Sequence, residues 1–103
     1  MEYRIIKSPS KGTLDILFRR KGSSSTTSIE NYDAIGLVQG RLIDMVFAAD
    51  IAEKAAGVVV EDIKGHCPQN LIMIAIFGDT ASVEAAVNEI KDKVNAARKG
   101  EAL

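Results

Sequence analysis

A chain of 103 residues, 47% apolar and 26% charged, has room for one domain with one modest core. A net charge of −1 at neutral pH argues against nucleic acid as a general partner, and no apolar run reaches the length needed to cross a bilayer. A single cysteine rules out a disulfide framework within one chain and suits a reducing cytosol, and the N-terminus lacks the charged, apolar, small-residue progression of a signal peptide.

Tyr3-Arg4-Ile5-Ile6 reads as a short strand, stopped by the polar stretch from Lys7 to Gly12. Thr13 to Arg19, with Leu14, Ile16, Leu17 and Phe18 in partial alternation, reads as a second strand. Charge is uneven here: within residues 1–22, Arg4, Lys7, Lys11, Arg19, Arg20 and Lys21 face only Glu2 and Asp15. Such an excess is either a solvated edge or a contact surface for an acidic partner. The run Gly22 to Ser28 is low-complexity and polar, which predicts a flexible linker over 23–28.

Ala34 to Val38 reads as a buried strand, with Gly36 marking a close backbone approach. Gly40 then opens a helix over about Arg41 to Ala56. Its apolar residues, among them Leu42, Ile43, Met45, Val46, Phe47 and Ile51, spread around most of the helical surface. A helix apolar nearly all round is buried on more than one side, and in so small a chain part of that cover is expected from another subunit. Gly57 is a stop signal. Val58 to Ile63 and Leu71 to Phe77 read as apolar strands. A final helix, capped by Asp79 or Thr80, carries the stripe Val83, Ala86, Val87, Ile90, Val94 and Ala97, and Glu89 and Lys93 pair on its exposed side. The order is β-β-β-α-β-β-α, an α+β sandwich with helices on one face of a mainly antiparallel sheet. Residues 1–103 form one domain: N-terminal strands over 1–22, the linker, and a core over 33–99.

Between the strands that end at Ile63 and begin at Leu71 lies Lys64-Gly65-His66-Cys67-Pro68-Gln69-Asn70. Gly65, Pro68 and Asn70 satisfy the backbone needs of a turn. His66 and Cys67, the chain's only histidine and only cysteine, are left over. Nothing here assembles into an enzyme. One histidine gives no Ser/His/Asp set beyond chance, no glycine-rich phosphate loop is present, and adjacent Glu61 and Asp62 point to opposite sides of a strand.

From about Asp33 to Ile90 the sequence resembles the bacterial microcompartment (BMC) shell-protein domain. Three pieces carry the likeness: Ala34-Ile35-Gly36-Leu37-Val38 as the opening strand, Ala48 to Ala56 with its Lys54 as the first helix, and Phe77-Gly78-Asp79 followed by Ser82-Val83-Glu84-Ala85-Ala86 as a strand-to-helix junction. The usual domain continues into a further strand and a small helix. Here strand-like material precedes the core instead, as in the circularly permuted members, some of which raise a small β-barrel over the pore.

The resemblance implies a BMC-domain fold and a structural protein, not an enzyme. It implies a cyclic homohexamer that tiles with itself and with other shell proteins into a compartment wall in the bacterial cytoplasm, around encapsulated enzymes, with no nucleic acid and no membrane. The pore would be lined by Lys64, Gly65, His66, Cys67, Pro68 and Gln69. The Cys-Pro-Gln loop is similar to that of the divergent shell proteins of glycyl-radical microcompartments. Taken alone, Cys67 is a small hydrophobe or an idle thiol. Six copies around an axis would instead supply enough thiolates for an iron–sulfur cluster, with four irons and four ligands, shared between subunits. A plain pore thiol or another metal such as zinc are the alternatives. His66 is a solvated side chain, a supplementary ligand or a pH-dependent charge. Lys54 matches the family lysine at the edge between hexamers, with Arg19 or Arg20 as its partner arginine. Two other functions compete: a small ferredoxin-like regulatory or ligand-binding domain without a cluster, and an electron-transfer protein using Cys67 in a smaller oligomer.

Overall fold

A computed structural model describes residues 1–20, 32–64 and 71–100. The elements are β1 (Glu2–Lys7), α1 (Lys11–Arg20), β2 (Ala34–Arg41), α2 (Leu42–Glu53), β3 (Val58–Ile63), β4 (Leu71–Gly78) and α3 (Thr80–Arg98). The four strands form one sheet in the order β1-β2-β4-β3, every pair antiparallel. The expected α+β class holds, but the expected element order does not. The second element is a helix, so the order is β-α-β-α-β-β-α.

The physical reason lies at Ser10. Its hydroxyl accepts the Thr13 amide at 3.2 Å and its carbonyl accepts the Leu14 amide at 3.1 Å, which starts a helix in the manner of an N-cap. Leu14 and Leu17, one turn apart, then face the sheet together. A strand would have sent Leu14 and Leu17 to opposite sides. With one described strand in residues 1–20, already paired to β2, the leader has none left over among the described residues for a barrel above a pore. The predicted linker over 23–28 lies outside the described residues.

Side chains alternate across the sheet and make two cores. On one side, Ala34, Val38, Ile74 and Ile76 meet Met45, Ala48, Ile51 and Ala52 of α2 and Val83, Ala86, Val87, Ile90 and Val94 of α3. Gly36 lets α3 approach. A methyl group there would lie 2.8 Å from Val87 Cγ2 and 3.1 Å from Val83 Cγ1. On the other side, Ile35, Ile63, Ala75 and Phe77 surround Leu17, and Tyr32 rests against Phe77 with ring centroids 5.5 Å apart. Helices therefore cover both faces rather than one.

Other expectations hold with small changes. The α2 helix ends at Glu53, short of Ala56, and Gly57 follows at φ 79°, the left-handed turn its lack of a Cβ permits. Asp79 caps α3 by accepting the Ser82 amide at 2.9 Å. The Ser82 amide and hydroxyl together hold the Asp79 carboxyl below its ordinary pKa. Ala97, expected on the buried stripe, is exposed at the end of α3.

Candidate functional site

Residues 64–70 connect β3 to β4, and Lys64 is the described one among them. The register of the two strands ends at the pair Ile63–Met73, whereas β4 runs on beside β2 to the pairs Gly40–Ile72 and Arg41–Leu71. So β3 departs two residues before β4 does. At that point α1 arrives from the other side. The Lys64 amide donates to the Arg20 carbonyl at 2.6 Å, and Arg20 Nη1 reaches the Lys64 carbonyl at 3.5 Å. Arg19, Arg20 and Lys64 are all exposed, so the base of the loop is cationic. Gly65, His66, Cys67, Pro68 and Gln69 lie outside the described residues. Among the described residues no group of three or more histidine, cysteine or carboxylate side chains could hold a metal ion.

Lys54 stands at the other end of β3, as the C-cap residue of α2. Its side chain is 75% exposed and its ammonium lies 2.7 Å from Asp50 Oδ2, one turn back. A six-residue strand spans roughly 20 Å, so Lys54 and the Arg19–Arg20 pair mark opposite ends of the subunit's β3 edge.

The α2 helix has the two-sided character that its sequence predicts. One side is in the core, yet Leu42, Ile43 and Val46 on the other are 54%, 78% and 63% exposed. Beside this ridge lies a cleft of about 640 Å³ bounded by Met1, Gln39, Gly40, Arg41, Ile43 and Arg98. Its floor includes Asp44, whose side chain is 18% exposed and pairs with Arg98 at 2.8 Å, tying the end of α3 to the start of α2. The Asp44 carboxylate raises the Arg98 pKa through that bond and its charge. Tyr3, under the Lys91 ammonium at 5.0 Å from its ring centroid, has its phenol pKa raised, first by burial.

Sequence reasoning missed three features. The Arg20–Lys64 contact and the Asp44–Arg98 pair join residues 44 and 54 positions apart, and no local pattern signals them. The third is Glu61, only 6% exposed and directed to the α1 side of the sheet, while Asp62 is exposed. Strand alternation separates the two, as expected, but cannot tell which side is covered. The Ser10 cap and the i, i+3, i+4 spacing of Leu14, Leu17 and Phe18 were the readable signs of α1.

Residues 34–103 match the model of the BMC domain family. A ligand-free structure of the GrpU microcompartment shell protein from Clostridiales bacterium 1_7_47FAA is 60% identical, with 90% of each chain covered and a TM-score of 0.71. A ligand-free structure of the GrpU microcompartment shell protein from Pectobacterium wasabiae is 40% identical, covering 87% of this chain and 99% of its own, with a TM-score of 0.70. No curated protein matches the sequence.

Proposed function

This chain belongs to the BMC-domain family of bacterial microcompartment shell proteins, of the glycyl-radical type, and from that premise we propose that it forms a cyclic homohexamer whose 64–70 loops converge on a pore and share an iron–sulfur cluster through Cys67. Its role in the shell is structural rather than catalytic, and the shell lies in the bacterial cytoplasm. It assembles with itself and with other shell proteins. Contact with encapsulated enzymes is part of the proposal.

The observation that carries the ring is the exposed ridge of Leu42, Ile43 and Val46 on a helix whose other side is core. Three large apolar side chains beside one another on a helix are expensive to leave in water and are what a neighbouring subunit would cover. The permuted reading is supported by β1. It lies before the matched range of 34–103, yet completes the sheet beside β2.

For the cluster, the donor set fixes the terms. One chain offers one thiol, and the described residues add no ligand group, so only several copies together could supply a cluster that wants about four thiolates. Six equivalent cysteines could not all bind alike, so the site would break the ring's symmetry. When bound, such a cluster would supply one-electron chemistry. The chain's own part is to bring Cys67 to the axis, with His66 and Gln69 beside it and Lys64 at the loop's base. At the rim, Lys54 would meet its symmetry mate in the next hexamer. Arg19 or Arg20 would supply the partner arginine of that edge, and Arg20 also contacts Lys64 at the loop end of β3.

Native mass spectrometry of protein made with iron and handled without oxygen tests the ring, and iron and sulfide analysis of parent and Cys67→Ser tests the cluster. A hexamer, brown in the parent and colourless but intact in the variant, is expected. An iron-free, colourless parent would sink the cluster, and a monomer would sink the ring.

A further inference from the structure

The geometry points to α1 as a brace that sets the direction in which the pore loop leaves the sheet. The helix lies at residues 11–20, before the range that matches the family model, so the brace comes from the N-terminal leader rather than from the matched range. The inference rests on the reading of 64–70 as the pore loop for its consequence at the pore, but not for the brace itself.

Three observations carry it. First, β3 gives up its pairing with β4 at Ile63 although β4 continues for two more residues, so the chain is turned aside at Lys64 rather than running out of partner. Second, one residue, Arg20, takes both polar groups of the Lys64 backbone: its carbonyl accepts the amide and its guanidinium reaches the carbonyl. The carbonyls in the last turn of a helix have no partner within the helix. Arg20 thus offers an acceptor where Lys64 has lost its ladder, and each satisfies the other. Third, the helix is pinned by a single fully covered side chain, Leu17, seated among Ile35, Ile63, Ala75 and Phe77. Ile63 is the residue just before the turn, so the anchor and the hydrogen bonds act on neighbouring positions.

A short helix is itself marginal, and with Leu17 as its one buried side chain the loop's exit depends on a contact that a substitution there can loosen. Because Lys64 is three residues from Cys67, a loosened exit changes how the thiols of a ring are presented. That makes Leu17 and Arg20 positioning residues for the pore.

Amide hydrogen exchange on the intact parent, Leu17→Ala, Arg20→Ala and the control Ile16→Ala tests this. Ile16 is half exposed on the same helix. Leu17→Ala should speed exchange of the Lys64 amide by about tenfold or more, the scale on which losing a buried leucine's packing shifts a local opening. Arg20→Ala should speed it less, because the backbone carbonyl remains. Ile16→Ala should leave it as in the parent, and the amides of Ile74 and Ile76 in β4 should not change in any variant. Lys64 exchange that is the same in Leu17→Ala as in the parent overturns the brace. So does an equal acceleration of Lys64, Ile74 and Ile76, which would mean general loosening. Iron retention in air is read on the same samples. If the parent holds iron, Leu17→Ala should lose it several-fold faster. An iron-free parent refutes the cluster while the exchange data still decide the brace.

Discussion

Ile43 is the sharpest probe of how these subunits meet. Its side chain is 78% exposed on the α2 ridge, so truncating it removes almost nothing from the chain's own core. Full burial of an isoleucine is worth about 1.5–3 kcal/mol, and about three quarters of that remains to be gained by contact with a neighbour, or roughly 1–2 kcal/mol per interface. Ile43→Ala should forfeit most of it and raise the dissociation constant of each subunit contact about 5- to 30-fold. Ile43→Glu should do more, because a carboxylate would be forced into an apolar contact without a partner. Serial dilution followed by native mass spectrometry or analytical ultracentrifugation reads the effect, with circular dichroism to show that the fold is kept. The expected order of assembly stability is parent, then alanine, then glutamate, with the glutamate variant monomeric at concentrations where the parent is assembled. Both variants remaining assembled at the same dilution as the parent would show that the ridge faces something other than a neighbouring subunit.

Gly36→Ala should destabilise the fold by about 1–3 kcal/mol, as overpacking does, because the new methyl would lie 2.8 Å from Val87 Cγ2; adding Val87→Ala should cost less than the two single losses combined, which urea titration at fixed protein concentration can measure. Asp79→Ala should lower the melting temperature by a few degrees near neutral pH through loss of the α3 cap. Since the carboxyl's pKa in the fold lies below its ordinary 3.8, the cap's contribution is complete above about pH 4 and fades as pH falls below it, so parent and variant melting curves should converge in acid and a gap that persists there would count against the assignment. Lys54→Ala should leave the ring and its stability nearly unchanged, since its partner Asp50 is an exposed surface ion pair, yet weaken the growth of two-dimensional sheets seen by electron microscopy; sheets as extensive as the parent's would remove Lys54 from the rim.

The matched core was legible because its patterns are local. The short apolar runs of the core strands, the 3.6-period stripe of α3, the Asp79 cap and the Gly57 stop each depend on residues within one turn or one strand. The leader was misread where two local signals conflicted. Leu14, Leu17 and Phe18 keep the i, i+3, i+4 spacing of a helix while Leu14, Ile16 and Phe18 alternate as in a strand, and the Ser10 cap decides for a helix only once the Leu14–Leu17 pair has a sheet to lie on. That sheet face is made by β2, β3 and β4, far along the chain. The same distance hides the Arg20–Lys64 contact, so the base of the candidate pore could be foreseen in its chemistry but not in how it is held. The two-sided nature of α2 was readable, and the exposed ridge gives its physical content.

The strand order β1-β2-β4-β3 also has a consequence for how the protein is made. Among the described residues β4 is the one strand that pairs with β3, although β3 leaves the ribosome first. At a synthesis rate of about 5–20 residues per second, the Val58-Val59-Val60 stretch waits on the order of a second with no strand beside it. When β4 arrives it lies between β2 and β3 and joins both at once. Until then the nascent chain holds β1 paired with β2 and a lone β3, and α3 has no complete surface on which to dock. A complete sheet, and with it the surface on which α3 docks, therefore appears late and all at once.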